Sequence, residues 1–223
     1  MHQIFLILHT TSVVDSLIDS NWDKSINEKD GWISPIIFFV VIFHIIENMK
    51  DLKNIFEEGR KCQNDIIHFV QEYVVDFKLD EHQIAHLKSL ASGNDSTYEV
   101  IDNVQELNLA FALWKMLVCP CTSVAVMSKK TERNLLANRF KKMLDKLTFF
   151  EMNPTRNLKY EISFSNNSTI FFGEYESYEC QLCGRFIGVL FLYDFKSFED
   201  KEEFLQCVVP VVRAYKNGQI IKS

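Results

Sequence analysis

Two stretches of this chain are apolar at nearly every consecutive position and then turn abruptly charged. Residues 122–128 read "TSVAVMS" and run into two lysines, and residues 189–194 read "VLFLYD". A strand with one wetted face alternates apolar and polar residues. A strand that is apolar on both sides belongs to a parallel sheet covered by helices on both faces. The carboxyl ends of such strands are where α/β proteins place their ligands, which makes Asp194 the first candidate site residue.

The segments between these runs have helical spacing. Leu135, Leu136, Phe140, Met143, Leu144 and Leu147 mark one face of a helix over 129–147. Ile66, Phe69, Val70 and Tyr73 mark another, and Ile84, Leu87 and Leu90 a third, with the extended "VDFKL" between them. A short strand over Tyr98–Ile101 leads through a turn into the helix-favouring "ELNLAFALWKML". Two alternating runs around Asn166-Asn167 predict a hairpin, because asparagine tolerates the positive φ of a tight turn. The tail predicts a helix with an acidic first turn, a break at Gly218 and a final apolar strand. This alternation predicts an α/β fold, a mostly parallel doubly wound sheet with an inserted β-hairpin and an N-terminal helical region.

Residues 61–223 are expected to hold that α/β domain, and residues 1–60 to form a separate region of unclear organisation. Within the latter, Trp32 to Ile46 carries no charge. It falls short of the roughly 20 residues of a membrane-spanning helix, so a buried helix or strand is expected and membrane association is not. The first residues lack the basic start of a secretory signal, and an intracellular location follows.

A formal net charge of -6 argues against a broad basic face for duplex DNA. Any contact with nucleic acid would be local, at Lys129, Lys130, Arg139, Lys141, Lys142 and Lys146, where a solvated helix face is the competing reading. The six cysteines are read as reduced thiols. Cys119-Pro-Cys121 and Cys180-Gln-Leu-Cys183-Gly each precede a predicted parallel strand, so four thiolates would converge on Zn²⁺ if those strands are neighbours. Ordinary buried cysteines and an exposed redox pair are the alternatives.

From residue 62 onward the order of segments resembles the ATPase domain of the large terminase subunit, the DNA-packaging motor of tailed bacteriophages and herpesviruses. "NDIIHFVQEYV" and "FKLDEHQIAHL" resemble its opening phrase, "KYEISFSNNSTIFFG" its hairpin, and "CGRFIGVLFLYDFKSF" the segment running into its Walker B acids. The resemblance implies a RecA/P-loop-NTPase-like fold, an adenine contact at Gln83, and viral packaging proteins as partners inside the host cytoplasm or nucleus. A polar residue on an exposed helix turn is the alternative for Gln83.

The residues depart from that family where ATP chemistry is done. A phosphate loop needs glycines to bring backbone N–H groups to phosphate oxygens, a lysine, and a hydroxyl for Mg²⁺. The corresponding "IDNVQELNL" at 101–109 has none of them and carries Asp102 and Glu106. Phe195 stands where the family's glutamate would activate water, and an aromatic ring cannot accept a proton. No catalytic residue and no use of ATP with Mg²⁺ are expected; Zn²⁺ is the one cofactor the cysteines suggest. The expected function is a terminase-like protein that acts by binding. The alternatives are a divergent active ATPase fragment working with a companion chain, and a zinc-stabilised or membrane-apposed accessory protein.

Overall fold

The computed structural model describes residues 53–97, 101–147, 154–182, 184–215 and 217–222. The readings made for residues 1–52, including the apolar segment 32–46, lie outside the described residues. The unit Asn54–Ser223 is compact and is built on one sheet of seven strands. In chain order these are β1 (Ser96–Thr97), β2 (Ser123–Ser128), β3 (Pro154–Asn157), β4 (Glu161–Phe164), β5 (Thr169–Glu174), β6 (Val189–Leu192) and β7 (Gln219–Lys222). Their order across the sheet is β1-β7-β6-β2-β5-β4-β3. The pairs β1/β7, β7/β6, β6/β2 and β2/β5 are parallel, and β4 and β3 extend the sheet antiparallel.

The helices are α1 (residues 53–64), α2 (Ile66–Phe69, continued by a π turn over Val70–Val74), α3 (Glu81–Ala91), α4 (Val104–Val118), α5 (Lys130–Lys146), α6 (Tyr178–Leu182) and α7 (Lys201–Arg213). They divide between the two faces of the sheet as the strand period of two requires. Val124 and Val126 of β2, Val189 and Phe191 of β6 and Ile221 of β7 pack with α2 to α5. Their neighbours Ala125, Met127, Leu190, Leu192 and Ile220 face the other way, onto α6 and α7. The sheet is doubly wound, as the unbroken apolar runs predict. Among the described residues, no helix is long and apolar enough to cross a membrane.

Two local details differ from the sequence reading, and a third agrees with it. The first strand pairs with β7 at Ser96 and Thr97, two residues before the expected start, and residues 98–100 lie outside the described residues. β3, exposed at all four positions, has no apolar signal to announce it; it is held by pairing with β4. The hairpin forms as expected, with Asn167 at φ 63° and its N–H bonded to Phe164 O at 3.0 Å.

Candidate functional site

The parallel strands deliver their carboxyl ends to one edge. β6 ends at Leu192; the N–H of the next residue, Tyr193, still bonds Met127 O at 3.0 Å, and the chain then turns at Asp194, which takes the left-handed φ of 52°. A short polar side chain tolerates that conformation better than most. The Asp194 carboxylate accepts Ser197 Oγ at 2.6 Å and pairs with Lys129 Nζ at 2.7 Å. Lys129 reaches it because β2, the neighbour of β6, ends one residue earlier, at Ser128. The bond from Lys129, and then that from Ser197, hold the Asp194 carboxyl below its ordinary range, and the same contact raises the Lys129 ammonium.

One strand further along, Glu174 at the end of β5 pairs with Arg133 at 2.6 Å, with both side chains largely buried. The Arg133 guanidinium also lies over the Tyr160 ring, 3.6 Å from its centre. Sequence reasoning did not single out this pair. The signal was present: Arg133 sits one turn after Lys129, and Glu174 closes the second strand of the hairpin. Arg133 Nε and Glu132 Oε2 are buried without a hydrogen-bond partner.

Phe195 follows Asp194 but points away from this edge. Its ring is 6% exposed and packs 5.9 Å from Tyr175 and 5.6 Å from Phe204, centre to centre. Tyr175 is itself anchored by its hydroxyl, which donates to Tyr193 O at 2.8 Å, and burial pushes its phenol up.

On the other side of β6, the chain between β1 and α4 passes through Asp102 and through Asn103 at φ 56°. Glu106 in the first turn of α4 pairs with Arg139 of α5 at 2.9 Å, and Gln105 Oε1 accepts from the same guanidinium at 2.6 Å. Gln83 is buried, 3% exposed, not on an exposed turn. Its Oε1 accepts the Asp80 N–H at 3.0 Å, completing a capping box at the start of α3. Its Nε2 donates to Asp102 O at 3.0 Å. Asp194 and Phe195 are thus brought to the strand ends, and Gln83 to the backbone of the β1–α4 connection.

Of the cysteines, Cys119 caps the end of α4 and is half-buried, and Cys121 is exposed, its Sγ 3.9 Å from Asn166 O. β2 and β6, which these pairs precede, are neighbours. Cys183 and the side chain of Cys180 lie outside the described residues. Tyr193, by contrast, is buried with its hydroxyl 3.4 Å from Gln105 O, so it ties the acid-bearing strand to α4.

No protein-family model matches the sequence, and no curated protein matches it either. Solved structures do. The chain superposes on the large terminase ATPase domain of Thermus phage P74-26 with a TM-score of 0.54 at 11% identity, over 66% of this chain and 65% of that one. It superposes on the large terminase of bacteriophage HK97 with a TM-score of 0.54 at 15% identity, over 72% of this chain and 37% of that one. The fold is that of the large-terminase ATPase domain. The chain spans just under two thirds of the P74-26 domain and about a third of the HK97 protein. At such identities the likeness is one of fold. What the terminase-like edge can do rests on its own side chains, and there the described cations Lys129 and Arg133 are each paired with an acid.

Proposed function

We propose that this chain is a terminase-like ATPase-fold protein that acts by binding a partner and does not hydrolyse ATP. One paired observation carries the reading. The two positions that flank a nucleotide in such a fold have both lost their chemistry, and each has been given over to holding the fold together. Asp102 and Glu106 put negative charge beside the connection where a triphosphate would need backbone N–H groups and a lysine. Phe195 is committed to the aromatic cluster under α7, and its ring cannot activate water.

The residues present do not fit ATP and Mg²⁺. One oxygen of the Asp194 carboxylate is already taken up by Lys129 and Ser197, and the buried amide of Gln83 is engaged by Asp80 and Asp102. We read Gln83 as a brace between α3 and the β1–α4 connection, and Asp194 as the anchor of the turn that follows β6. The partners that suit a terminase-like fold are proteins of a viral packaging assembly, met inside the host cell, with DNA contacts confined to the lysines of α5.

The test uses the full purified chain. Binding of a fluorescent ATP analogue and phosphate release are measured with and without double-stranded DNA. Neither is expected above background. Phosphate release stimulated by DNA, or by a companion chain that carries a glycine-lysine loop, would overturn the proposal in favour of a divergent active ATPase.

A further inference from the structure

Far from the strand ends in sequence, three chemically different donors meet at the junction of α1 and α2. Glu58 and Cys62 are four residues apart on α1 and so project from one helix face. Asp65 then interrupts the helix. Its carboxylate accepts the N–H groups of Ile67 at 2.9 Å and His68 at 3.1 Å, starting α2 and turning His68 back towards that face. As a result a carboxylate oxygen, a thiol sulfur and an imidazole nitrogen all lie within 4.8 Å of one another. Cys62 Sγ is 4.0 Å from Glu58 Oε1, and His68 Nε2 contacts the same oxygen.

We propose that Glu58, Cys62 and His68 form a binding site for a divalent cation of the zinc class. A tetrahedral ion that holds sulfur at about 2.3 Å and nitrogen or oxygen at about 2.0–2.2 Å keeps its donors roughly 3.3–3.6 Å apart, a spacing these side chains reach with small adjustments. The donor set selects the metal. One thiolate and one imidazole suit Zn²⁺ or Co²⁺, whereas Mg²⁺ and Ca²⁺ require oxygen throughout. On binding, the Cys62 thiol gives its proton to solvent and the sulfur takes the metal.

The surroundings suit an ion. Tyr73 OH donates to Glu58 Oε1 at 2.9 Å and fixes the carboxylate from outside, as outer partners of metal ligands do. Cys62 is fully buried, and its own carbonyl is held by Trp114 Nε1 at 2.8 Å, so the sulfur stands on a rigid base. The side chains of His68 and Glu58 are 14% and 30% exposed, which opens a way in and leaves the fourth position to water. The ion would clasp α1 to α2. These ligands are distinct from the four cysteines singled out in the sequence, and the site does not depend on the strand-end edge.

The full chain, stripped with a chelator, is titrated with Zn²⁺ by calorimetry and with Co²⁺ by absorption. The expected result is about one ion per chain, with the visible bands of tetrahedral Co²⁺, a thiolate-to-cobalt charge-transfer band, and a higher Tm when Zn²⁺ is present. His68→Gln and Glu58→Gln should each weaken binding by tenfold or more, Cys62→Ser should remove the charge-transfer band, and Tyr73→Phe should weaken binding by about tenfold while keeping that band. The variant with Cys119, Cys121, Cys180 and Cys183 all changed to serine should bind as the parent does. Binding that survives both His68→Gln and Cys62→Ser, binding lost in the four-serine variant, or a folded parent that takes up no stoichiometric ion would each overturn the proposal. Far-UV circular dichroism checks that Cys62→Ser folds, and His68→Gln, at a partly exposed position, decides the matter if it does not.

Discussion

Phe195 shows how one residue can exchange catalysis for packing. A glutamate at the end of a strand must stay at the wet edge to orient water, whereas the Phe195 ring turns under α7 to join Tyr175, Phe198 and Phe204. Phe195→Ala should therefore cost about 3–5 kcal/mol in urea unfolding, the range for truncating a buried phenylalanine. Phe195→Glu should cost more, because it places a carboxylate among aromatic rings. A Phe195→Glu protein as stable as the parent would mean that the position faces solvent after all. The sequence announced the identity of this residue but not its direction, since a run such as "YDFKSF" does not say where the strand stops and the turn begins.

The packing of α3 on α4 carries the clearest pH signature. His86 of α3 is buried, 3% exposed, with Nε2 2.8 Å from Asn108 Oδ1. An amide oxygen accepts, so the imidazole nitrogen donates. Burial lowers the His86 pKa from its ordinary 6.5, against a smaller opposing effect of the Asn108 bond. The folded state therefore binds the proton less well than the unfolded chain. Stability from this group is complete above pH 6.5 and is lost as the pH falls through 6.5 towards the lower folded value. Urea midpoints between pH 7.5 and 5.5 should fall, and His86→Gln should flatten that part of the curve; an unchanged slope would place the pH sensitivity elsewhere. At the level of elements the sequence was informative wherever apolar period and length agreed, as in α5, β2, β6 and the hairpin. It was silent where an element exists only through its neighbours. β3 has no buried position, and the capping box of α3 is visible as Asp80 and Gln83 in the sequence, yet the third contact of Gln83, with Asp102, joins residues 19 apart. The Glu58, Cys62 and His68 cluster escaped notice for a similar reason, since it needs the helix break at Asp65 to fold back on itself.

At the scale of the molecule, the strand latest in sequence among those described lies inside the sheet. β7 is inserted between β1 and β6, with Ile221 opposite both Ser96 and Phe191. Its entry depends on Gly218, where a Cβ would stand 1.9 Å from Val212 O. Gly218→Ala must displace the end of α7 or the start of β7, and should cost about 2–3 kcal/mol in urea unfolding. A neutral effect would show that this join has room to spare.

The position of β7 also orders events during synthesis. Among the described strands β1 pairs with β7 alone, and the edge of β6 that β2 does not hold stays open, so both wait for a strand translated after them. β2, β5 and β6 can pair as they leave the ribosome, but β1 joins the sheet only when residues 219–222 have emerged. Until then two unpaired strand edges face each other across a gap, which is the arrangement most exposed to pairing with the wrong chain.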